Sequence, residues 1–397
     1  MTTKLDRLDD SKVLIYSHDS FGLGHLRRCR AIAHSLVDTY KGISVLIISG
    51  SPVISQFDFK SRVSFITVPG VVKLRNGDYT SLGLHVDLGE TMAMRASMIQ
   101  HSAEVFAPDI FIVDKEPLGL RGEVENTLRW LKMKGATNVL GLRDVMDDSE
   151  ALQNEWQRKN VVPALEKLYD EIWVYGSKSI GNPIQGIKLT AAAQKKMHYL
   201  GYLKRTVPDD EYLSEKPLHE KFILVTSGGG GDGELLVDWV LRAYEHAEDP
   251  QLMNCIIILG PFMSKRAQLK FKNRASKLPK IETRVFDNEI ETLMTNAEGI
   301  VAMGGYNTFC EILSFDKKAI IVPRETPRLE QRIRANFASK RSLISMLLYK
   351  DSSNTKMMIK ALKELPAQSL PSVNDSESLL NGLEQINTRV EAILSRN

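Results

Sequence analysis

Apolar residues along this chain fall into short β-branched runs, each followed by a stretch whose apolar positions recur every three to four residues. Lys12 to Ser17 reads as a first strand and His25 to Tyr40 as the helix after it. Ser44 to Ser49, Val63 to Val68 and Asp109 to Asp114 read as further strands, with a helix around Gly122 to Lys134. Asn138 to Leu142 and Glu171 to Tyr175 give two more strands. A polar interval from Lys204 to Lys221, with Pro208, Pro217 and several acids, reads as a linker. The pattern then restarts. Strands are expected at Phe222 to Thr226, Cys255 to Leu259, Ile281 to Phe286, Gly299 to Ala302 and Ala319 to Val322. Helices are expected at Gly233 to His246, Lys265 to Ala275, Glu289 to Thr295 and Tyr306 to Leu313, with a late one at Asp375 to Leu394.

Strands alternating with helices predict an α/β chain of two tandem, doubly wound Rossmann-like domains, each a mainly parallel sheet covered on both faces. The expected boundaries are 1–207 and 208–370, with a C-terminal helix in 371–397 that packs back on the first domain. Ligands of such sheets bind outside the carboxyl ends of the strands, so the cleft between two facing domains is the expected site.

Composition narrows the class. The chain has 397 residues, 43% hydrophobic and 25% charged, which suits an ordinary globular core. A net charge of only +3, without a clustered basic stripe, argues against a nucleic-acid binder. Cys29, Cys255 and Cys310 are far apart and odd in number, so neither a disulfide framework nor zinc spacing follows. The N-terminal Met1 to Arg7 lacks the apolar core of a signal peptide, and no apolar run approaches the roughly 20 residues of a membrane span. The expected location is cytoplasmic, with peripheral membrane contact left open.

Three turns carry candidate chemistry. The first, Ser17 to Leu26, lies between a strand and a helix and contains Gly22, Gly24 and His25. Glycines there allow close approach of a ligand, and the following helix offers free N–H groups and a positive dipole end. The spacing is neither a dinucleotide fingerprint nor a P-loop. His25 is placed to act as a general base, or else to cap the helix. His18 is a second candidate base, and Asp114, at a strand end, a third. Ordinary structural roles remain the alternative for both.

The second turn, Thr226 to Gly233, holds four consecutive glycines after a strand, with Ser227, Gly228, Gly229 and Gly230 positioned to aim amides at a diphosphate. Phe286, at the end of a later strand, is a candidate for the base pocket. The third turn runs from Met303 to Glu311. Gly304 and Gly305 open it, Asn307 and Thr308 offer polar groups, and Glu311 offers a carboxylate of the kind that holds ribose hydroxyls. Past the next strand, Arg324 suits a phosphate, and Glu330 and Gln331 suit sugar hydroxyls.

Together these clusters resemble the GT-B glycosyltransferases, in particular the family 28 group related to the peptidoglycan enzyme that adds N-acetylglucosamine to lipid I. The match lies in Gly22, Gly24 and His25; in Ser227 to Gly231; in Gly304, Gly305, Thr308 and Glu311; and in Pro323, Glu330, Gln331 and Ala335. The resemblance implies a nucleotide-diphosphate sugar, such as UDP-N-acetylglucosamine, held mainly by the second domain. Glu311 would bind ribose, Gly228 to Gly230 and Thr308 the diphosphate, and Glu330 with Gln331 the sugar. The acceptor, a small molecule, glycan or lipid-linked group, would lie on the first domain near His25. No metal and no other cofactor is implied, and inversion is the implied outcome. Gly22 to Cys29 is also similar to the UDP-sugar hydrolase of pseudaminic acid synthesis. Hydrolysis, and nucleotide-sugar binding without catalysis, therefore stay as alternatives. The interval Gly70 to Gln100, rich in charge and methionine (Lys73, Arg75, Asp87, Glu90, Met92, Met94, Arg95, Met98), suits an acceptor site or, alternatively, a lid or packing helix.

Overall fold

Parallel pairing organises both halves of the chain in the computed structural model, which describes residues 8, 10–18, 24–73, 79–82, 85–207, 221–247, 252–287, 289–375 and 378–395. The chain divides into two compact units, 1–203 with 381–397, and 204–380. The sequence reading puts these divisions at 207/208 and 370/371.

The first unit contains β1 (Lys12–Ser17), α1 (Gly24–Thr39), β2 (Ser44–Ser49), β3 (Val63–Thr67), β4 (Val71–Lys73), β5 (Tyr79–Ser81) and α2 (Leu88–Phe106). It continues with β6 (Ile110–Asp114), α3 (Glu125–Met133), β7 (Thr137–Arg143), α4 (Ser149–Arg158), α5 (Val162–Lys167), β8 (Glu171–Tyr175), α6 (Ala191–Gln194) and β9 (Met197–Tyr199). Seven strands form one sheet in the order β3-β2-β1-β6-β7-β8-β9, every neighbouring pair parallel. Strands β6 and β8 are buried at every position, as expected of strands covered on both faces. Leu14 and Tyr16 of β1 share a core with Ile99 of α2, Leu128 of α3 and Trp156 of α4.

The second unit repeats the plan with β10 (Phe222–Thr226), α7 (Glu234–His246), β11 (Asn254–Ile258), α8 (Lys265–Ala275), β12 (Ile281–Arg284), α9 (Ile290–Asn296) and β13 (Gly299–Ala302). Then come α10 (Tyr306–Ser314), β14 (Ala319–Ile321), α11 (Glu330–Lys340), β15 (Ser345–Met346), α12 (Thr355–Glu364) and α13 (Pro371–Asn374). Its sheet order is β12-β11-β10-β13-β14-β15, again all parallel. Among the described residues no helix is long and apolar enough to cross a membrane.

The chain ends in α14 (Gly382–Leu394), which packs on α1. Asn387 Nδ2 donates to Ser35 Oγ at 3.0 Å and Thr39 Oγ1 at 2.7 Å, and Arg389 Nε donates to Glu171 at 3.1 Å.

Three features differ from the sequence reading. The late helix starts at Gly382 rather than Asp375, because the Asp375 carboxylate accepts from Leu379 N at 3.0 Å and closes a separate turn. Helices α4 and α5 fill the interval between the Leu142 and Glu171 strands, to which the sequence reading assigns no element; α4 is largely polar, and it is started by Asp148, whose side chain accepts from Glu150 N and Ala151 N. The Gly70 to Gln100 interval opens with the antiparallel β4–β5 pair, and Arg95 is buried in it as a packing residue, donating to Pro69 O at 2.7 Å and Tyr16 Oη at 2.6 Å. Arg75 lies outside the described residues.

Gly382 is the closest approach of α14 to the strand-end backbone: a Cβ there would meet Gly201 O at 2.6 Å and Tyr202 O at 2.7 Å. Gly382→Ala must therefore shift the helix. The expected cost is about 1–3 kcal/mol of stability, measured by urea unfolding.

Candidate functional site

Each sheet reverses its strand order once, between β1 and β6 in the first unit and between β10 and β13 in the second. Loops diverge at such a point and leave a crevice at the carboxyl ends of the strands. Both groups of candidate residues lie there.

In the first unit β1 delivers His18, α1 delivers His25, and β6 ends in Asp114. Arg28 shares a helix face with His25, three residues on, so one stripe of α1 meets Asp114. Arg28 Nε donates to Asp114 Oδ1 at 2.8 Å and its Nη2 to Oδ2 at 2.5 Å. His25 Nδ1 lies 2.5 Å from Asp114 Oδ2. Burial alone would raise the Asp114 pKa, but the Arg28 guanidinium and His25 outweigh it and hold the carboxyl well below its ordinary range. An ionised Asp114 only accepts, so His25 donates Nδ1–H and keeps its Nε2 lone pair. Burial brings the His25 pKa down to about 4 against the opposing pull of Asp114. The ring is thus neutral at pH 7, with its side chain 19% exposed.

His18 lies beside the same residue and beside His25. Its Nδ1 lies 3.3 Å from the Asp114 carbonyl oxygen, and its ring meets that of His25 edge-on with centroids 4.2 Å apart. Burial, then His25, hold it well below its ordinary pKa. Lys115 follows at φ 69, a left-handed conformation unusual for lysine, and bonds Glu116 at 2.9 Å. Lys159, just past the end of α4, reaches the other oxygen of Glu116 at 3.0 Å. The structure therefore brings His18, His25 and Asp114 together. Gly24 is the first residue of α1, and Gly22 lies outside the described residues.

In the second unit, Thr226 to Asp232 line one cavity with Met303, Gly304, Gly305, Thr308, Arg324 and Gln331. The glycine loop is built on close backbone contact. Gly230 has φ 89, and a Cβ on it would meet Leu259 O at 2.5 Å and Gly260 Cα at 2.9 Å. Ser227 Oγ donates to Leu259 O at 2.7 Å and pins the loop to the end of β11. Opposite, Gly304 at φ 78 leads into α10, whose first turn carries no acid. That helix start presents its positive dipole end to the cavity.

The remaining predicted donor residues divide. Arg324 and Gln331 line the cavity, and the Gln331 amide oxygen accepts from Arg324 N at 3.1 Å. Glu330, at the start of α11, is buried and bonds Arg324 at 2.7 Å. Asn307 accepts from the Arg205 guanidinium at 2.9 Å through its Oδ1. Glu311 is 1% exposed and Phe286 50% exposed, and neither is part of the cavity wall. Phe286 lies two residues beyond the end of β12.

Two arginines escaped the sequence reading. Arg205, within what reads as linker, also donates its backbone N–H to Ser314 Oγ at 2.9 Å and so carries a cation to the first turn of α10. Arg334 of α11 is buried and donates to Gly304 O at 3.0 Å, fixing the turn that opens that helix. Among the described residues no group of three or more His, Cys, Asp or Glu side chains is placed to hold a metal ion.

Residues 222–390 match the glycosyltransferase family 28 C-terminal domain. The second half of the chain is thus similar to that family's C-terminal domain. No curated protein matches the sequence. Similar solved structures share the fold across both chains. The calicheamicin glycosyltransferase CalG4 has a TM-score of 0.62 at 13% identity, covering 97% of this chain and 99% of that one. MurG from Acinetobacter baumannii has a TM-score of 0.59 at 11% identity, covering 98% and 100%. A putative UDP-N-acetylglucosamine 2-epimerase from Listeria monocytogenes has 0.60 at 12% identity, covering 97% and 95%. The fold is GT-B, and the residues lining the glycine cavity lie within the stretch that matches the family 28 C-terminal domain.

The histidine pair lies in the other unit and hangs on one buried carboxylate. Asp114→Asn would leave Arg28 buried without its counter-ion. The expected loss is about 3–5 kcal/mol of stability, read from urea unfolding; a loss within error would show that the pair is not what holds α1 to β6.

Proposed function

We propose that the chain is a metal-independent glycosyltransferase that moves a sugar from a nucleotide-diphosphate donor, of the UDP-N-acetylglucosamine type, to an acceptor hydroxyl with inversion. The observation that carries this reading is the cavity of the second unit, where a glycine loop and an acid-free helix start line the same space.

The diphosphate fits against the glycine loop from Gly228 to Gly230, whose Gly228 and Gly230 amides donate within the loop to Thr226 Oγ1 and Ser227 O, and against the first turn of α10 at Thr308. Arg205 and Arg324 add positive charge close by. As the bond from the anomeric carbon to the diphosphate oxygen breaks, that oxygen gains charge, and fixed amides and a helix dipole stabilise it without reorganising. Gln331, in the cavity wall, suits the sugar hydroxyls, while Glu330 and Glu311 are buried outside that wall. In the first unit His25 Nε2 takes the proton from the acceptor hydroxyl as its oxygen attacks the anomeric carbon from the face opposite the leaving group. Asp114 keeps the imidazole in the correct tautomer and stabilises the imidazolium that forms.

The same histidine pair could serve water instead of an alcohol, which is the hydrolase reading. The shared fold of the epimerase keeps nucleotide-sugar chemistry without a separate acceptor in view. Product analysis separates the two: a glycoside supports transfer, whereas free sugar formed equally with and without acceptors supports hydrolysis.

A calorimetric screen of UDP, GDP and TDP tests the donor. At least one should bind and raise the melting temperature; silence from all three removes the basis of the reading. For the base, His25→Ala should lower kcat/KM by about 10²–10⁴-fold while leaving nucleotide affinity unchanged. The acid limb of the wild-type profile should have its midpoint near pH 4, because the base works once deprotonated and burial holds its pKa at about 4. A midpoint near the free imidazole value of about 6.5 would point to another group.

A further inference from the structure

Arg324 stands in the wall of the glycine cavity with two carboxylate partners of unlike character. Its Nη2 donates to Glu330 Oε1 at 2.7 Å, and its Nε lies 3.1 Å from Asp232 Oδ2. Glu330 is buried, while the Asp232 side chain is 55% exposed on the glycine loop. The Asp232 pair therefore ties that loop to the segment between β14 and α11, and both partners line the cavity. With its carboxylate more than half exposed to solvent, such a pair contributes little. A diphosphate oxygen is a better partner for a guanidinium, since it can accept two parallel N–H bonds and brings more charge.

We propose that Arg324 exchanges between Asp232 and the diphosphate. Asp232 keeps the arginine poised in the wall of the empty cavity, then competes it away from the nucleoside diphosphate product and speeds its release. This rests on reading the cavity as a nucleotide-diphosphate site, and it adds a residue, Asp232, whose carboxylate opposes donor binding. A ligand with a single phosphate on the loop amides leaves the Arg324–Asp232 pair intact. A ligand with two phosphates displaces it.

Calorimetry on wild type, Asp232→Asn, Arg324→Gln and the double variant tests this with UDP, GDP and TDP beside the matching monophosphates. Asp232→Asn should tighten the bound diphosphate by about two- to fivefold, the worth of an exposed ion pair, and slow its dissociation to match. Monophosphate affinity should not change. In the Arg324→Gln background the Asp232 substitution should have no effect, because the partner it competes for is gone. Equal tightening of mono- and diphosphates would reduce Asp232 to a general repulsive charge and overturn the exchange. So would an effect that survives without Arg324, or diphosphate affinity that ignores Asp232. If none of the three diphosphates binds wild type, the donor reading itself falls, and the exchange with it.

Discussion

Parallel pairing is the constraint on which the rest of this structure depends. A parallel neighbour can be reached only by a crossover, here by helices, so every strand delivers its carboxyl end to the same edge of its sheet. Helix starts collect at that edge. The order then reverses between β1 and β6, and again between β10 and β13. At the first reversal the chain places His18, His25 and Asp114. At the second it places the glycine loop and the start of α10.

The two sites solve opposite electrostatic problems. In the first unit a carboxylate, 1% exposed, has to stay ionised, and Arg28 makes that tolerable. The ionised Asp114 then fixes the proton on His25 Nδ1, and burial keeps the ring neutral. In the second unit the glycine cavity takes positive potential from the start of α10 and from Arg324 in its wall, while Arg205 bonds Asn307 and Arg334 bonds Gly304 O at the same helix start. Each glycine contact in the loop serves this arrangement. A Cβ at Gly230 would push the loop off the end of β11 and move the amides with it.

The sheets were legible because their central strands are buried on both faces and read as unbroken apolar runs. The glycine turns were legible because glycine stands where strand meets helix. What stayed hidden depends on distance or on side-chain direction. Arg334 acts on Gly304, 30 residues away in sequence, and Arg205 lies among polar residues that read as linker. Nothing local pairs Asp114 with His25 across 89 residues, beyond both being near strand ends. Helix α4 does carry a short apolar stripe, Leu152 and Trp156 four residues apart, in an otherwise polar segment. Glu311 and Glu330 drew attention as carboxylates near helix starts, but the turn of each helix buries them. Phe286 was read as strand because the apolar pattern runs past Arg284, where the pairing with β11 ends.

The central claim is that the glycine cavity of the second unit, not the histidine turn, holds the nucleotide diphosphate. A crystal structure of the protein soaked with UDP tests this most directly. The account predicts the two phosphates on the glycine loop from Gly228 to Gly230 and at the first turn of α10. Phosphates seated instead beside His18 and His25, with the glycine cavity empty, would contradict it.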